Sequence, residues 1–275
     1  MKKWTLSAIL YVFLVVTGYT IYSGFFQEEE SSAAQKESSK HGHSDEEQVQ
    51  GHMEEEGHEG HDVADSEVKV TLDYKADLLH IFLADDEGNP VSDLEINHEK
   101  YMHVIVVNEH LDTYQHIHPN EVGAGEYEVP VELEEDNYKV FVDIKPKDLS
   151  YTVQPMSIVV GDATDAHGHG LQPDNDLTQE IDGKKVTLQV SSQTAGEPVT
   201  LDFDLDVTEL EPYLGAMGHV VILDAHGEKY LHVHPEDATK PVFGTQFDQP
   251  GIYKIWAEFK QDGKVRVFPF VVEIE

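Results

Sequence analysis

The sequence predicts an all-β protein made of two tandem copies of one antiparallel sandwich. Three observations predict it. The histidine frame H-x6-H-x5-H-x-H-P occurs twice, in Met102–Pro119 (MHVIVVNEHLDTYQHIHP) and in Gly218–Pro235 (GHVVILDAHGEKYLHVHP). The copies are offset by 116 at every histidine (219 − 103, 226 − 110, 232 − 116, 234 − 118), and Val70-Thr71-Leu72 meets Val186-Thr187-Leu188 at the same offset. A fixed internal period of this kind marks a duplicated unit. Short alternating or apolar runs rich in Val, Ile, Tyr and Phe also recur every 8–12 residues or so between turn residues, with no helical period.

Composition narrows the function. The chain has 275 residues and a formal charge of 18 − 54 = −36. Nucleic acid and anionic lipid surfaces need a basic partner, so the charge argues against both, whereas cations are favoured. Cysteine is absent, which rules out disulfides, thiolate metal sites, thiol nucleophiles and the blue-copper centre, whose ligand set includes Cys.

In chain order, Lys2-Lys3 precedes an uncharged run, Trp4–Phe26, whose 23 residues would make roughly 34 Å of helix. The run is longer than a cleaved signal's apolar region and is followed by a poor cleavage site, Gly24-Phe25-Phe26-Gln27. Residues 1–26 therefore read as a single-pass transmembrane signal anchor with the lysines inside. Everything beyond is extracytoplasmic on that reading; secretion after signal cleavage is the alternative.

Residues 27–66 are rich in Glu, Ser, Gln, Gly and His and nearly devoid of aliphatic side chains. Such a segment cannot bury enough apolar surface to offset its ordering entropy and reads as a disordered acidic stalk. It carries His41, His43, His52, His58 and His61, a weak metal-capturing tract.

Residues 67–160 form the first repeat. Its expected strands are Val68–Tyr74, Leu78–Leu83, Met102–Val107, Thr113–His118, Glu126–Leu133, Tyr138–Ile144 and Thr152–Val160. Seven short strands between turns predict a sandwich of immunoglobulin-like kind. Residues 161–184 read as a linker, with His167 and His169 as a further weak metal pair. Residues 185–275 repeat the sandwich, with Tyr138-Lys139 realigning to Tyr253-Lys254 at offset 115, so the indels fall in loops.

The histidine segment reads as a hairpin. A turn centred between His110 and Leu111 sets His103 opposite His118, and the second copy sets His219 opposite His234 by the same register. His116 and His232, two residues before the strand ends, share that face. Cross-strand neighbours lie about 5 Å apart at Cβ, so three imidazoles per copy come within reach of one cation: His103, His116 and His118, then His219, His232 and His234. His110 and His226 sit at the exposed turn. Met217, two residues before His219, falls on the metal face, and a thioether beside imidazoles suits copper as Cu(I) or Cu(II); Tyr101 stands at that position in the first copy. Pro119 and Pro235 end the strands and place each triad at a sandwich rim, open to solvent. The bland alternative is that the histidines pack and hydrogen-bond as ordinary strand residues beside Tyr114, Ile117, Tyr230 and Val233.

Catalytic signatures are missing. The chain lacks H-E-x-x-H, a Gly-rich phosphate loop, a convergent Ser/His/Asp order and EF-hand spacing. The expectation is a binding protein, not an enzyme.

The segment Pro212–His219 followed by Tyr230–Pro235 resembles a motif of bacterial extracytoplasmic immunoglobulin-like proteins of YtkA-like and CopC-like character. The resemblance is clearest over Leu210–Pro235. It implies copper handling on a membrane-attached or periplasmic β-sandwich, with an envelope copper-handling protein as a partner and zinc as the alternative ion. The CopC-like pattern uses a mature N-terminal histidine that this chain does not show, so that ligand set does not carry over. Two functions follow: a membrane-anchored protein that binds, buffers or delivers copper through paired three-histidine sites, or an interaction module presenting loops to an envelope partner.

Overall fold

The computed structural model describes residues 66–275 apart from 98, 164–169, 234 and 236. The expected anchor, the stalk histidines His41, His43, His52, His58 and His61, the pair His167 and His169, and His234 therefore lie outside the described residues. Among those described, no helix is long and apolar enough to cross a membrane.

The first repeat runs through β1 (Val68–Lys75), β2 (Leu78–Asp85), β3 (Leu94–Glu95), β4 (Met102–Asn108), β5 (Tyr114–Ile117), β6 (Asn120–Gly123), β7 (Glu126–Pro130), β8 (Asp136–Pro146) and β9 (Met156–Val160). The second runs through β10 (Thr178–Ile181), β11 (Lys184–Val190), β12 (Pro198–Asp204), β13 (Leu210–Glu211), β14 (His219–Asp224), β15 (Tyr230–Val233), β16 (Val242–Gln246), β17 (Gly251–Gln261) and β18 (Lys264–Ile274). Each repeat is a sandwich of two antiparallel sheets. The first pairs β1-β2-β7-β6 with β3-β8-β4-β5, where β9 joins β8; the second pairs β10-β11-β12-β16 with β13-β17-β14-β15, where β18 joins β17.

The seven runs expected in the first repeat all correspond to strands, the second repeat carries their counterparts, and β3, β6, β10 and β13 are additional. These four hold two to four residues, too short to show an alternating pattern. β10 falls within the stretch read as a linker. It pairs with β11 along Thr178↔Thr187 to Ile181↔Lys184, and Leu177 and Ile181 pack against the second core.

The strands β4 and β14 organise each repeat. Every residue of β4 is buried, which explains its unbroken apolar run: a strand covered on both faces does not alternate. Met102, Val104 and Val106 face the core of the first sandwich. Ile105 and Val107 face the other way, into a cluster with Leu111, Phe141, Val221, Leu223 and Trp256. That cluster draws on both repeats, so the two five-stranded sheets pack face to face. Tyr114 stacks on Trp256 with ring centroids 4.9 Å apart, and Tyr230 stacks on Phe141 at 5.2 Å. These pairs are equivalent under the repeat offset, so one patch of each copy meets the same patch of the other, as in an isologous dimer.

Hairpin register follows from the turn. The Asn108 side-chain oxygen accepts hydrogen bonds from the backbone N–H of Asp112 and Thr113, both at 3.0 Å. Its counterpart Asp224 accepts from Glu228 at 2.6 Å and Lys229 at 2.8 Å. The resulting registers, Val104↔Ile117 and Val220↔Val233, continue to His103 opposite His118, as the sequence predicts.

Candidate metal centre

On the outer face of the first five-stranded sheet, β4 aligns His103 with Asp143 of β8 and Ile105 with both Phe141 of β8 and His116 of β5. On the second, β14 aligns His219 with Glu258 of β17, and Val221 with Trp256 of β17 and His232 of β15. Histidines and carboxylates thus occupy one end of each apolar face. Docking the faces buries them together.

The first triad converges. His103 Nδ1 stands 2.9 Å from His116 Nε2 and 3.1 Å from His118 Nε2, and donor atoms of the three histidines all lie within 4.8 Å of one another. The opposite ring nitrogens are held from outside. His103 Nε2 donates to the Asn97 carbonyl at 2.8 Å, and His116 Nδ1 faces a Glu258 carboxylate oxygen at 2.8 Å. A carbonyl only accepts, so the His103 proton sits on Nε2 and Nδ1 presents a lone pair inward. Donation from His116 Nδ1 to ionised Glu258 turns its Nε2 lone pair to the same point. Two lone pairs at 2.9 Å repel unless a proton or cation lies between them. Metal–imidazole bonds near 2.0–2.1 Å place ligand nitrogens roughly 3.3–3.6 Å apart, so the rings need to part by only about half an ångström. Ligand histidines whose second nitrogen is held by a carbonyl or carboxylate are the usual pre-organised arrangement.

The second repeat is built alike. His219 Nε2 donates to the Tyr213 carbonyl at 2.9 Å, and Tyr213 is the repeat equivalent of Asn97. His232 Nδ1 meets the Asp143 carboxylate at 2.9 Å. The carboxylates therefore cross over: Glu258 of the second repeat holds His116 of the first, and Asp143 of the first holds His232 of the second.

The expectation of two separate triads open to solvent is corrected on both counts. His103 is packed 5.1 Å from His232 and His116 lies 6.2 Å from His219, centroid to centroid, so histidines of both copies form one cluster. His103 and His219 have no exposed surface, because the partner repeat covers the rim the sequence left open. His118 is half-buried and lines a surface cavity of about 510 Å³ with Asp93, Glu99, Tyr101 and Glu121, so the first triad is reached from solvent there. Met217, expected as a ligand, lies just outside β14 and is half-buried; among the described contacts none brings its side chain to the imidazoles. His110 and His226 lie at the turns, apart from the cluster.

Burial sets the protonation. It pushes His103 down to about 2, His116 and His118 to about 3, and His219 to about 4, with neighbouring imidazoles adding to the effect. The rings are neutral at physiological pH, as metal ligands must be. Burial also pushes Glu258 up to about 7. Burial acts upward on Asp143 too, but the hydrogen bonds from His232 and Tyr230 hold it below the usual carboxylate range. The difference between these equivalent acids has a local cause. The Tyr230 hydroxyl donates to Asp143 at 3.2 Å, whereas the Tyr114 hydroxyl lies near Glu258 without normal hydrogen-bond geometry.

Asp143 and Glu258 escaped the sequence reading, although a signal existed. Extending the offset of 115 from Tyr138-Lys139 aligns YKVFVD with YKIWAE, which puts an acid at the same place in two otherwise apolar strands.

A family described as a domain of unknown function, DUF8832, matches residues 56–161 and again 179–275, once over each repeat. The chain belongs to the DUF8832 family. No curated protein matches it significantly. Among solved structures, this DUF8832 protein is similar to the Escherichia coli adhesin FdeC, at 14% identity over 76% of this chain and 64% of the adhesin structure, with a TM-score of 0.24. It is also similar to a two-domain fibronectin type III segment of chicken tenascin, at 10% identity over 76% of this chain and 98% of that one, with a TM-score of 0.23. Three fibronectin domains of chicken contactin (CNTN1) match at 10% identity over 75% of this chain and 66% of theirs, with a TM-score of 0.22.

Proposed function

We propose that this DUF8832 protein is a membrane-anchored, extracytoplasmic metal-binding protein that handles copper, by binding, buffering or delivering it, without catalysing a reaction. The observation that carries the reading is the inward aim of His103 Nδ1, His116 Nε2 and His118 Nε2, with the outer nitrogens of His103 and His116 tied to Asn97 and Glu258. A packing role for the histidines would not require three ring nitrogens to converge on one point. Neutral imidazoles suit copper and zinc alike. The likeness of Leu210–Pro235 to YtkA-like and CopC-like copper domains favours copper. The acidic, His-rich stalk would raise the local ion concentration beside the folded site, and the half-buried His118 offers the route for exchange with an envelope partner.

The test is a calorimetric copper titration, as Cu(II) and as Cu(I) under reductant, of the full-length chain in detergent. His41, His43, His52, His58, His61, His167 and His169 are replaced by Asn so that only the folded histidines count. Tight stoichiometric binding, lost in His103→Ala/His116→Ala, is the expected result. Weak binding indifferent to those changes would leave the histidines a packing role and return the protein to the interaction-module reading. Protease shaving of intact cells tests the topology: fragments of the sandwiches released from outside are expected, and full protection would overturn the extracytoplasmic placement.

A further inference from the structure

The three histidines of the first triad are not held alike. His103 lies within β4, aligned with Asp143 of β8, and its Nε2 donates to the Asn97 carbonyl at 2.8 Å. His116 lies within β5, aligned with Ile105 of β4, and its Nδ1 meets the Glu258 carboxylate at 2.8 Å. Each is fixed twice, by a strand ladder and by a bond to its outer nitrogen. His103 has no exposed surface, and the His116 side chain is 1% exposed. Side chains fixed in this way keep their aim whether or not an ion is present.

His118 is fixed by neither device. The β4–β5 ladder ends at Val104↔Ile117, one residue earlier. Its Nε2 faces His103 Nδ1 at 3.1 Å, and among the described residues no group bonds its Nδ1. The ring is half-buried and forms part of the wall of the cavity of about 510 Å³, which opens between the loop that enters β4 and the chain that leaves β5. Asp93, Glu99 and Glu121, with Lys100, line the same cavity, a surround that favours the passage of a cation. A ring beside open volume changes rotamer at little steric cost. His103 and His116 cannot turn without giving up a buried hydrogen bond.

Resting on the metal-binding reading above, we propose that the triad is a transfer site made of two fixed ligands and one exchangeable ligand, which delivers its ion by direct ligand exchange through the cavity at His118. The step is a substitution with no change of oxidation state. The bond from the ion to His118 Nε2 breaks and the ring turns into the cavity. A donor atom of the acceptor takes the position so opened while His103 and His116 still hold the ion. The acceptor this fits carries a nitrogen or thioether donor on a chain slender enough to enter the cavity, as a histidine or methionine side chain on an exposed segment does. The ion is passed from ligand to ligand and need not leave as a free hydrated species.

The probe is Cu(II), on the full-length chain in detergent with the stalk and linker histidines replaced by Asn as above. Trp4→Phe is added so that Trp256 alone emits. Trp256 stacks on Tyr114, two residues before His116, and Cu(II) bound at the triad quenches it. The loaded chain is mixed with excess free histidine as the acceptor, and recovery of the emission gives the transfer rate. A rate that rises in proportion to histidine concentration is expected. The chain has no cysteine, so Asn120→Cys sets a single thiol on the exposed lining of the cavity. Capping it with a bulky aromatic disulfide instead of a methyl disulfide should slow transfer about tenfold and leave the equilibrium affinity unchanged. His118→Ala should keep the ion on the fixed pair and pass it on faster than the parent, whereas His103→Ala should lose retention. A rate independent of histidine concentration, a rate indifferent to the cap, or retention no better in His118→Ala than in His103→Ala would overturn the proposal. If the parent chain retains no copper, the metal-binding reading itself fails. Far-ultraviolet circular dichroism of each variant separates lost ligands from lost fold.

Discussion

The carboxylate of Glu258, in the second repeat, holds Nδ1 of His116, in the first, at 2.8 Å, with both side chains almost wholly buried. The bond ties a candidate metal ligand to the packing of two sandwiches, and its mirror, Asp143 on His232, does the same in the other direction. The consequences reach both stability and binding.

Truncation at Glu258 should separate the two. Glu258→Ala leaves the His116 Nδ1–H buried without its acceptor, which costs about 1–3 kcal/mol. Glu258→Gln keeps an acceptor oxygen and should cost clearly less. Urea denaturation of the metal-free chain measures both; equal losses would mean that the hydrogen bond is not what Glu258 contributes.

Acid should destabilise the metal-free protein. His103, His116, His118 and His219 have folded values below the ordinary 6.5, so the unfolded chain binds more protons and their contribution, full above about pH 6.5, is lost as pH falls. Glu258, raised to about 7, acts oppositely: its contribution is full below its ordinary 4.5 and fades as pH rises toward 7. Four histidines outweigh one acid. The urea midpoint should therefore drop between pH 7 and about pH 4.5, and a midpoint that rises over this range would contradict the buried neutral cluster.

Gly218 precedes His219 with φ +152°, and a Cβ there would stand 2.6 Å from Phe259 Cε1. Phe259 is fully buried and cannot swing clear. Gly218→Ala should cost more than about 1 kcal/mol and weaken ion binding by displacing His219. An unchanged thermal midpoint with unchanged copper affinity would show that the strand start is more pliant than this contact implies.

The docked interface should respond to Phe141→Ala, which removes a fully buried ring and the surface on which Tyr230 stacks. Losses for such truncations run about 3–5 kcal/mol. Trp256, buried against Tyr114 on the opposite side of the same interface, reports docking by its fluorescence, since Trp4 is the chain's other tryptophan. A red shift in the variant before global unfolding is expected. Emission identical to the parent at every denaturant concentration would argue that the repeats do not separate.

The sequence by itself determined the duplication, the strands that carry alternating or apolar runs, and the hairpin register that faces His103 with His118. These are local matters: a period of two, a turn residue and a fixed offset are all written within a few residues of one another. The short strands β3, β6, β10 and β13 left no such trace, because two to four residues at a sheet edge impose no pattern. Only the tertiary structure decided that the two histidine sets meet. Their meeting depends on the outer faces of β4 and β14, where Ile105, Val107, Val221 and Leu223 are apolar on the side away from their own cores. Such doubly apolar strands say that something covers them but not what. The cover proved to be the other repeat, and it brought Asp143 and Glu258 to histidines 89 and 142 residues distant in the chain. Proximity at that separation comes from burying two apolar faces against each other, and no local pattern encodes it.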